Sequence, residues 1–517
     1  MKNRDLQATW AYHNGTKHSY ESVRTNRHYL DWDNQPIAFK IYPTLEPTPL
    51  PQPVSASGIT ALESISGAAS PGRDPCVPSI QALAEILYLS AGITRRRSYS
   101  GGEILFRAAA CTGALYHIDL YVVSGELPDL AAGVYHFGPQ DLALRRLRTG
   151  DYRDTLVQAS GGQSAIAYAP VILILASTYW RNAWKYQSRA YRHCYWDSGT
   201  ILANLLAATT ARQVPAEIVL GFIDETVVQL LSLDPQREGA LALVGLGNAP
   251  DHSNKLSPAV QPLNFETTPL SKTEVDYPEI RAMHEASSLE SEAEIINWHR
   301  AIRGPREANP PAPNSNPGLI PLKPLNDSEI PRDNIESVIQ RRGSTRQFAR
   351  EAISFSQLST LLERATQDIA ADFLHPKKAS LNDLYLIVNA VEGLAPGAYV
   401  FHRQISSLEL LKQGDFRRDA GYLGLGQEIP ADCSVNVFFL TDLNEVLERF
   451  GNRGYRAAQL EASIMGGKLY LAAYAQRLGA SGLTFFDDDV TEFFSPHATG
   501  KSVMFLLAVG KSVKQKS

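Results

Sequence analysis

The stretch Ile118-Asp119-Leu120-Tyr121-Val122-Val123 is followed by Ala132-Gly133-Val134-Tyr135-His136-Phe137. A similar pair, Asn382-Asp383-Leu384-Tyr385-Leu386-Ile387 and Pro396-Gly397-Ala398-Tyr399-Val400-Phe401, stands 264 residues later in the chain. Runs rich in β-branched and aromatic residues, separated by a turn with Gly or Pro, predict adjacent strands. The recurrence predicts that one fold occurs twice in this chain.

The register of this repeat extends well beyond the two strands. The same offset of 264 residues aligns Arg189 with Arg453, Tyr191 with Tyr455, Arg192 with Arg456, Asp197 with Glu461 and Phe222 with Phe486. A register that is unbroken from residue 121 to residue 222 is hard to obtain by chance, so we interpret the repeat as two structural copies.

The pattern of apolar residues predicts the same order of helices and strands in each copy. The expected helices cover Ile80–Ala91 and 196–210 in the first copy, and Phe355–Ala365 and 459–477 in the second. The expected strands include 120–123, 171–176 and 241–247 in the first copy, and 384–388, 435–440 and 504–510 in the second. This order predicts an α+β fold, with helices flanking a mostly antiparallel sheet in each copy.

The remaining segments divide the chain. We expect an N-terminal arm at 1–60, a first domain at 61–250, a connector at 251–330 and a second domain at 331–517. Within the connector, residues 275–302 are charged and predict a helix, whereas residues 304–331 hold eight prolines and predict a semi-extended strap.

Composition excludes several classes of function. The 517 residues carry a net charge of −5, which does not suit a basic nucleic-acid binder or a polybasic membrane anchor. Apolar runs are shorter than the roughly 18 residues of a membrane-spanning helix. The four cysteines stand far apart, which argues against a disulfide framework or a CxxC zinc site and predicts a reducing, cytoplasmic location. We also expect no metal at Asp487-Asp488-Asp489, which we interpret as a solvated turn.

A cluster of cations and hydroxyls opens the second copy as Arg341-Arg342-Gly343-Ser344-Thr345-Arg346-Gln347-Phe348. Guanidinium groups and hydroxyls match phosphate oxygens, and amides at a helix end favour an anion. The pattern is therefore a candidate phosphate site, and a solvated basic loop is the alternative.

This cluster resembles the FMN-phosphate signature of the nitroreductase superfamily, and three further stretches resemble its SagB/ThcOx-type dehydrogenases. Tyr12-His13-Asn14-Gly15-Thr16-Lys17 resembles their N-terminal signature. The segment 107–116 resembles their loop of small residues, although it has Ala110-Cys111 where that loop has Pro-Ser. The segment from Lys185-Tyr186 to Asp197 resembles a third block of that family.

The resemblance implies a flavin site that is built between two domains, because two protomers share each site in this superfamily. A tandem chain would then form an intramolecular pseudo-dimer. Only the second copy has the arginine cluster, and only the first has the loop of small residues. We therefore expect one FMN site per chain, with the second pseudo-site closed by Lys377 and Lys378.

The resemblance also implies a role for individual residues. The phosphate would be held by Arg341, Arg342, Ser344, Arg346 and Lys511; the flavin ring would lie against Cys111, Thr112, Gly113 and Ala114; and the loop facing flavin N5 would be Gly482, Leu483, Thr484 and Phe485. Lys185 and Tyr186 match the pair that azoline dehydrogenases use for proton transfer. A lysine base must be neutral, and Arg189 and Arg192 are candidate neighbours that would lower its pKa.

The function implied by this resemblance is that of an FMN-dependent oxidoreductase with hydride transfer at flavin N5. The substrate would be a small molecule or an azoline-bearing peptide, and NAD(P)H is a candidate electron donor, although the sequence has no Rossmann GxGxxG fingerprint. We expect no nucleic-acid or membrane partner and leave further oligomerisation open. The alternative is a flavin-poor scaffold or peptide-binding subunit of a peptide-modifying complex.

Overall fold

Each half of the chain folds around one seven-stranded sheet in a computed structural model. The structure describes residues 2–52, 54–67, 75–99, 102–249, 256–303, 318–326, 328–376 and 379–513. The strands of the first half are β1 (Pro47–Pro49), β2 (Ile93–Tyr99), β3 (Gly102–Arg107), β4 (Ile118–Ser124), β5 (Gly133–Gly138), β6 (Ala143–Thr149), β7 (Val171–Thr178), β8 (Ala216–Val219) and β9 (Glu238–Leu246). Those of the second half are β10 (Leu319–Pro321), β11 (Ile353–Ser354), β12 (Asp383–Val388), β13 (Val391–Glu392), β14 (Gly397–His402), β15 (Ser407–Gln413), β16 (Val435–Thr441), β17 (Gly479–Leu483) and β18 (Ser502–Gly510).

Helices cover these sheets and fill the space between the halves. In the first half they are α1 (Leu6–Gly15), α2 (Tyr20–Thr25), α3 (Ala61–Ser66), α4 (Ile80–Ala91), α5 (Arg153–Ala159), α6 (Ser164–Ala167), α7 (Tyr179–Tyr186), α8 (Ala190–Ala211) and α9 (Asp224–Leu231). The connector contributes α10 (Pro278–Ala286) and α11 (Glu292–Arg303). The second half has α12 (Ile335–Arg341), α13 (Phe355–Ala365), α14 (Arg417–Leu423), α15 (Glu428–Asp432), α16 (Leu443–Phe450), α17 (Arg453–Ala475) and α18 (Asp487–Phe494).

The two sheets have the same topology, which confirms the predicted α+β duplication. Their strand orders are β1-β6-β5-β4-β7-β9-β8 and β10-β15-β14-β12-β16-β18-β17. Neighbouring strands in both sheets pair antiparallel. Central strands such as β7 and β16 are buried along their whole length, because helices cover both faces of the sheet.

The sheets include strands from outside the domain limits that the sequence suggests. β1 lies in the expected N-terminal arm and pairs with β6, while β10 lies in the expected connector and pairs with β15. Each strand satisfies backbone groups at a sheet edge that would otherwise be exposed. The connector also differs from the expected single helix, since α10 and α11 are separate. Residues 304–317 of the expected strap lie outside the described residues.

The halves meet where α8 crosses α17 through small residues. A Cβ atom at Gly199 would lie 1.9 Å from Ser463 Oγ, and one at Gly467 would lie 2.5 Å from Ala203 Cβ. Only glycine allows the two helix backbones to come this close. Trp196 Nε1 donates a hydrogen bond of 2.6 Å to Gln459 Oε1 across the same contact. The predicted intramolecular docking of the two copies is confirmed.

Two reciprocal clusters, each of one aspartate and two arginines, flank this helix crossing. Arg189 and Arg192 of the first half contact Asp487 of the second half at 2.9 and 2.6 Å. In the opposite direction, Arg453 and Arg456 contact Asp224 at 2.8 and 2.7 Å. All six side chains are buried. The arrangement follows the repeat, because the arginines are related by 264 residues and each aspartate begins a helix.

These contacts correct one expectation from the sequence. Asp487 does not belong to a solvated turn, since it is buried and paired with two arginines. Burial alone would raise the pKa of its carboxyl, but Arg189 and Arg192 outweigh burial and hold that pKa below the usual range. Because one carboxylate meets two guanidinium groups, this buried cluster keeps a net positive charge.

The cysteines are not paired with one another in this structure. All four cysteines are free thiols, as predicted. Within the described ranges, no three His, Cys, Asp or Glu side chains are grouped so that they could hold a metal ion. In that same part of the chain, no helix combines the length and apolar character that crossing a membrane requires.

Replacing Asp487 with Ala should lower the free energy of unfolding by about 3–5 kcal/mol, because two buried guanidinium groups lose their counter-ion. Asp488→Ala is the matched control: its carboxylate is 76% exposed and pairs with Lys17, so it should cost under about 1 kcal/mol. Urea unfolding followed by circular dichroism measures both values. Equal losses in the two variants would contradict the assigned role of the buried pair.

Acid should destabilise the docked halves through the same carboxylates. Burial alone would raise the pKa of Asp224, but the charges of Arg453 and Arg456 outweigh burial and lower this pKa to about 2. The pKa of an Asp in the unfolded chain is about 3.9. The stability that Asp224 contributes is therefore complete above about pH 4 and is lost as the pH falls towards about 2. The urea midpoint should fall across this range. Asp224→Asn should show a shallower fall, and an equal slope in both proteins would contradict the assignment.

Candidate functional site

A cavity of about 360 Å³ lies between the two halves of the chain, within the range of about 300–1,000 Å³ that is usual for small-molecule sites. The first half contributes Ala110, Cys111, Thr112, Gly113, Lys185, Tyr186, His193, Trp196, Asp197 and Thr200 to its lining. The second half contributes Ser344, Arg346, Gln427, Tyr470, Ser481, Gly482, Leu483, Thr484 and Phe505. Neither half could form this cavity alone.

Asp197 on α8 shapes the wall from the first half. Its Oδ1 accepts hydrogen bonds from the backbone N–H and the hydroxyl of Thr112, at 2.9 and 2.8 Å. The thiol of Cys111 donates to Asp197 Oδ2 at 3.0 Å. Burial, together with the charge of Asp197, raises the pKa of this thiol well above its usual value. Cys111 is therefore a hydrogen-bond donor that holds the loop, as a serine would be, rather than a thiolate.

The phenol of Tyr186 lies over this loop. Gly113 has a φ of +65°, and a Cβ atom there would lie 2.9 Å from Tyr186 Oη, so both its backbone conformation and the approach of Tyr186 require glycine. Lys185 Nζ lies 5.4 Å from the centre of the Tyr186 ring. Burial raises the pKa of Tyr186, so its hydroxyl keeps its proton at neutral pH.

The edge of β17 forms the opposite wall. The backbone N–H of Gly482 donates a 2.5 Å hydrogen bond to Tyr470 Oη, which also lies 3.3 Å from the hydroxyl of Ser344. Tyr470 comes from α17, so this wall joins the strand edge, the central helix and the segment that follows α12. The arrangement holds Ser344 next to the exposed backbone of β17.

The predicted arginine cluster is divided among different partners. Arg346 lines the cavity and has no hydrogen-bond or ion-pair partner among the described residues. Arg341 instead binds Asp333 Oδ2 at 2.5 Å and the carbonyl of Tyr474. Arg342 crosses to the first half and donates to the carbonyls of Ala108 and Arg107 at 2.9 and 3.2 Å. Arg341 and Arg342 therefore hold the surrounding structure and lie outside the lining.

Three other predicted residues also lie outside the lining. Lys511 Nζ is 3.4 Å from Glu351, and Ala114 is exposed to solvent. Phe485 is fully buried, with its ring beside Trp196 and the guanidinium of Arg189. The cavity does bring together the other ten predicted residues: Cys111, Thr112, Gly113, Lys185, Tyr186, Ser344, Arg346, Gly482, Leu483 and Thr484.

The sequence reading missed several side chains that line the cavity, among them His193, Trp196, Gln427, Tyr470, Ser481 and Phe505. A signal was available in the repeat register. His193 aligns with Ala457, Trp196 with Leu460 and Tyr470 with Leu206, so each of these larger or polar residues has a small or apolar counterpart in the other copy. Divergence between the copies at otherwise aligned positions marks the wall of the cavity.

Three buried polar atoms on the cavity wall have no hydrogen-bond partner within the part of the chain that the structure describes. They are His193 Nε2, Ser481 Oγ and Thr484 Oγ1. Buried polar groups are normally paired, and an unpaired one costs about 1–3 kcal/mol. All three belong to residues that line this one cavity, where a bound ligand could supply a partner. A larger cleft of about 960 Å³ beside α9 and α10 is lined by no such atom among the described residues.

The cleft related to this one by the repeat is closed. A space of only about 10 Å³ lies beside Leu206, Ala216 and Lys468, room for about one water molecule. The segment 370–372 fills the rest by pairing with β8, the strand equivalent to β17: Ile218 N donates to Ala370 O, and Asp372 N donates to Ile218 O, both at 2.9 Å. The expected plug, Lys377 and Lys378, lies outside the described residues.

Comparisons with known proteins agree with this architecture. Residues 339–511 match the sequence model of the nitroreductase family. The crystal structure of a "putative nitroreductase" from Anabaena variabilis superposes with a TM-score of 0.77 and 27% identity, covering 98% of this chain and 99% of that one. These findings support a relationship between this chain and the nitroreductase superfamily.

Two further similarities cover part of the chain. "Putative nitroreductase MJ1384" of Methanocaldococcus jannaschii is 25% identical over 169 residues, which are 33% of this chain and 80% of that protein. A chain of the Escherichia coli microcin synthetase McbBCD complex covers 48% of this nitroreductase-like chain and 93% of its own, with 18% identity. The two structures superpose with a TM-score of 0.32.

Proposed function

We propose that this protein is an FMN-dependent oxidoreductase that binds one FMN per chain in the cavity between the halves. The observation that carries the proposal is the composite wall: the loop of small residues at 110–113 comes from one half, and Ser344, Arg346 and the loop 482–484 come from the other. The nitroreductase-family match of residues 339–511 supports the same chemistry.

The residues that line the cavity fit such a cofactor. Gly113 borders the cavity, and its missing side chain leaves room for the phenol of Tyr186 over the loop. Arg346 is a cation without a protein counter-ion among the described residues, which suits a phosphate or the electron-rich edge of a flavin. Ser481 Oγ and Thr484 Oγ1 are the unpartnered buried atoms on the wall from the second half. We assign FMN contacts to the ten lining residues named above.

Bound FMN would accept or donate a hydride at N5. The chain itself can supply a proton in this cavity, because burial raises the pKa of Tyr186 and its hydroxyl stays protonated at neutral pH. A protonated phenol favours proton donation to a substrate that is being reduced. We therefore propose reduction of a small electron acceptor, with NAD(P)H as the electron donor.

Dehydrogenation of an azoline-bearing peptide, as in SagB-type enzymes, is a narrower proposal and makes a different demand on the site. It needs Lys185 as a neutral base that removes a ring proton while the hydride leaves to the flavin. Arg189 and Arg192, the candidate neighbours of that lysine, both pair with the carboxylate of Asp487 instead. The hydroxyl proton that Tyr186 keeps supports the reductase direction.

Purified protein that is supplied with FMN should bind one equivalent per chain. Arg346→Ala should weaken binding by about 1–3 kcal/mol, because a charge-assisted hydrogen bond is lost. Lys511→Ala is the matched control: its ammonium lies outside the cavity beside Glu351, so its affinity for FMN should match that of the unsubstituted protein. Flavin fluorescence quenching measures the dissociation constant, and absorbance after gel filtration measures the stoichiometry.

Two equivalents of FMN per chain would contradict the single-site proposal, and a colourless protein would favour the flavin-poor scaffold. Unchanged affinity in Arg346→Ala would remove that residue from the site. These three outcomes are separable, because stoichiometry and affinity come from independent measurements.

Tyr186→Phe should keep FMN bound and slow the oxidation of reduced FMN by a nitroaromatic compound by about 10²–10⁴-fold, because it removes a proton donor. Lys185→Met, which removes the amine beside that phenol, should slow the same step. Stopped-flow absorbance under anaerobic conditions measures this step. Reduction of FMN by NAD(P)H should change little in either variant. If reoxidation stays fast and conversion of a thiazoline to a thiazole is lost instead, the reductase direction is wrong and the dehydrogenase proposal is favoured.

A further inference from the structure

His193 is the buried side chain on the cavity wall whose unpaired atom, Nε2, can be identified as a hydrogen-bond acceptor from its neighbours. It lies on α8, and only 1% of its surface is exposed. Its ring packs edge-on against Tyr186, with centroids 4.6 Å apart, and lies 4.8 Å from the ring of Trp196. These two contacts fix the plane of the imidazole, so the direction in which Nε2 points is set by the protein.

Asn182 on α7 determines which nitrogen of His193 carries the proton. His193 Nδ1 lies 2.7 Å from Asn182 Oδ1, and Asn182 Nδ2 lies 3.5 Å from the carbonyl oxygen of Thr112. A carbonyl can only accept, so the amide nitrogen of Asn182 faces Thr112 and its oxygen faces the imidazole. The imidazole must then donate from Nδ1, which leaves Nε2 as an acceptor with a free lone pair.

That lone pair has no partner within the described part of the chain. Nε2 is buried and accepts no hydrogen bond there, while the His193 side chain borders the cavity. Burial and the nearby charge of Arg189 lower the pKa of His193 well below its usual value, so the ring stays neutral and does not compete by binding a proton of its own. A ligand that brings no donor would leave Nε2 buried and unpaired, at a cost in affinity.

We propose that His193 is a specificity-determining residue that accepts a hydrogen bond from an N–H or O–H group of the molecule bound in this cavity. The inference rests on the proposed function for the identity of the site, and it extends that function by naming the class of ligand. The ligand class is one that carries a hydrogen-bond donor facing α8, so an acceptor-only molecule of the same shape binds less well. The donor comes either from the imide N–H of FMN or from a substrate hydroxyl or amide.

Two matched pairs of probes separate these sources. For the substrate, 4-nitrobenzyl alcohol is compared with its methyl ether, which lacks the donor; for the cofactor, FMN is compared with 3-methyl-FMN, which lacks the imide N–H. Dissociation constants are measured by quenching of tryptophan fluorescence, since Trp196 lies on the cavity wall. The unsubstituted protein should prefer the donor-bearing member of one pair by about tenfold, the size expected for one hydrogen bond to a buried acceptor.

Variants of His193 test whether this residue is the origin of the preference. His193→Phe keeps the ring contacts with Tyr186 and Trp196 but has no acceptor, so the tenfold preference should disappear. His193→Gln carries an amide oxygen and should restore part of it. His13→Phe is the matched control, because His13 is another buried histidine with an unpartnered Nε2 but lies outside the cavity lining; its preference should equal that of the unsubstituted protein.

The outcomes are distinct. If His193→Phe loses the preference for the alcohol over the ether but keeps that for FMN over 3-methyl-FMN, the donor belongs to the substrate. If it loses the preference for FMN and keeps that for the alcohol, the donor belongs to the flavin. Equal preference ratios in His193→Phe and in the unsubstituted protein would overturn the proposal, as would no preference in the unsubstituted protein. If FMN does not bind at all, the proposed function fails, while the alcohol and ether pair still tests His193 on the cofactor-free protein.

A measurement without any substitution covers the case in which His193→Phe does not fold. Selective ¹⁵N-histidine labelling reports the imidazole nitrogens directly. The Nε2 resonance of one buried histidine should shift when the donor-bearing probe is added and stay in place with the acceptor-only probe. An unmoved histidine spectrum with both pairs of probes would overturn the proposal.

Discussion

Four buried arginines and two buried aspartates hold the halves of this chain in one relative position. Each aspartate begins a helix in one half and receives two guanidinium groups from the long helix of the other half, as Arg189 and Arg192 do for Asp487. A buried charge is costly unless it is paired with good geometry. Few other relative positions of the halves could satisfy all six groups together. The close contact of α8 and α17 at Gly199 depends on the same docking.

That docking creates two related clefts, and divergence between the copies has made them different. In one cleft the edge of β8 is covered by the segment 370–372, and Lys468 is buried with its ammonium nitrogen 3.1 Å from the carbonyl of Gln367. Burial, with a smaller effect of Arg403, lowers the pKa of Lys468 to about 7. In the other cleft the edge of β17 borders a cavity. One cleft is thus filled by packing, while the other keeps a cavity that has room for a ligand.

The open cleft separates its chemical tasks between the halves. The second half contributes Arg346, which has no counter-ion among the described residues, and a strand edge, whereas the first half contributes the glycine loop, Lys185 and the protonated Tyr186. Asp197 connects these parts, because it fixes the loop through Thr112 and lies on the same helix as His193. A single α-helix therefore sets the position of the loop and the direction of the free imidazole nitrogen.

Much of the fold could be predicted from the sequence alone, because strand and helix periodicity is a local property. The duplication, the order of elements and both ends of Ile80–Ala91 and Phe355–Ala365 follow from patterns that a single copy carries. The edge strands β1 and β10 did not follow, since a run of three residues acquires its strand character only from the neighbour with which it pairs.

The candidate site was likewise predicted in part from the sequence and determined in part by the tertiary structure. Ten of the predicted residues line the cavity, because short motifs place them on loops that the fold brings together. The fate of each charge was decided only by the tertiary structure. Arg341 and Arg346 look alike in the sequence, yet one is neutralised by Asp333 and the other is left free, and Asp487 is buried although it stands in an acidic run. Which charge meets which partner depends on segments far apart in the chain, and local sequence patterns do not record those distances.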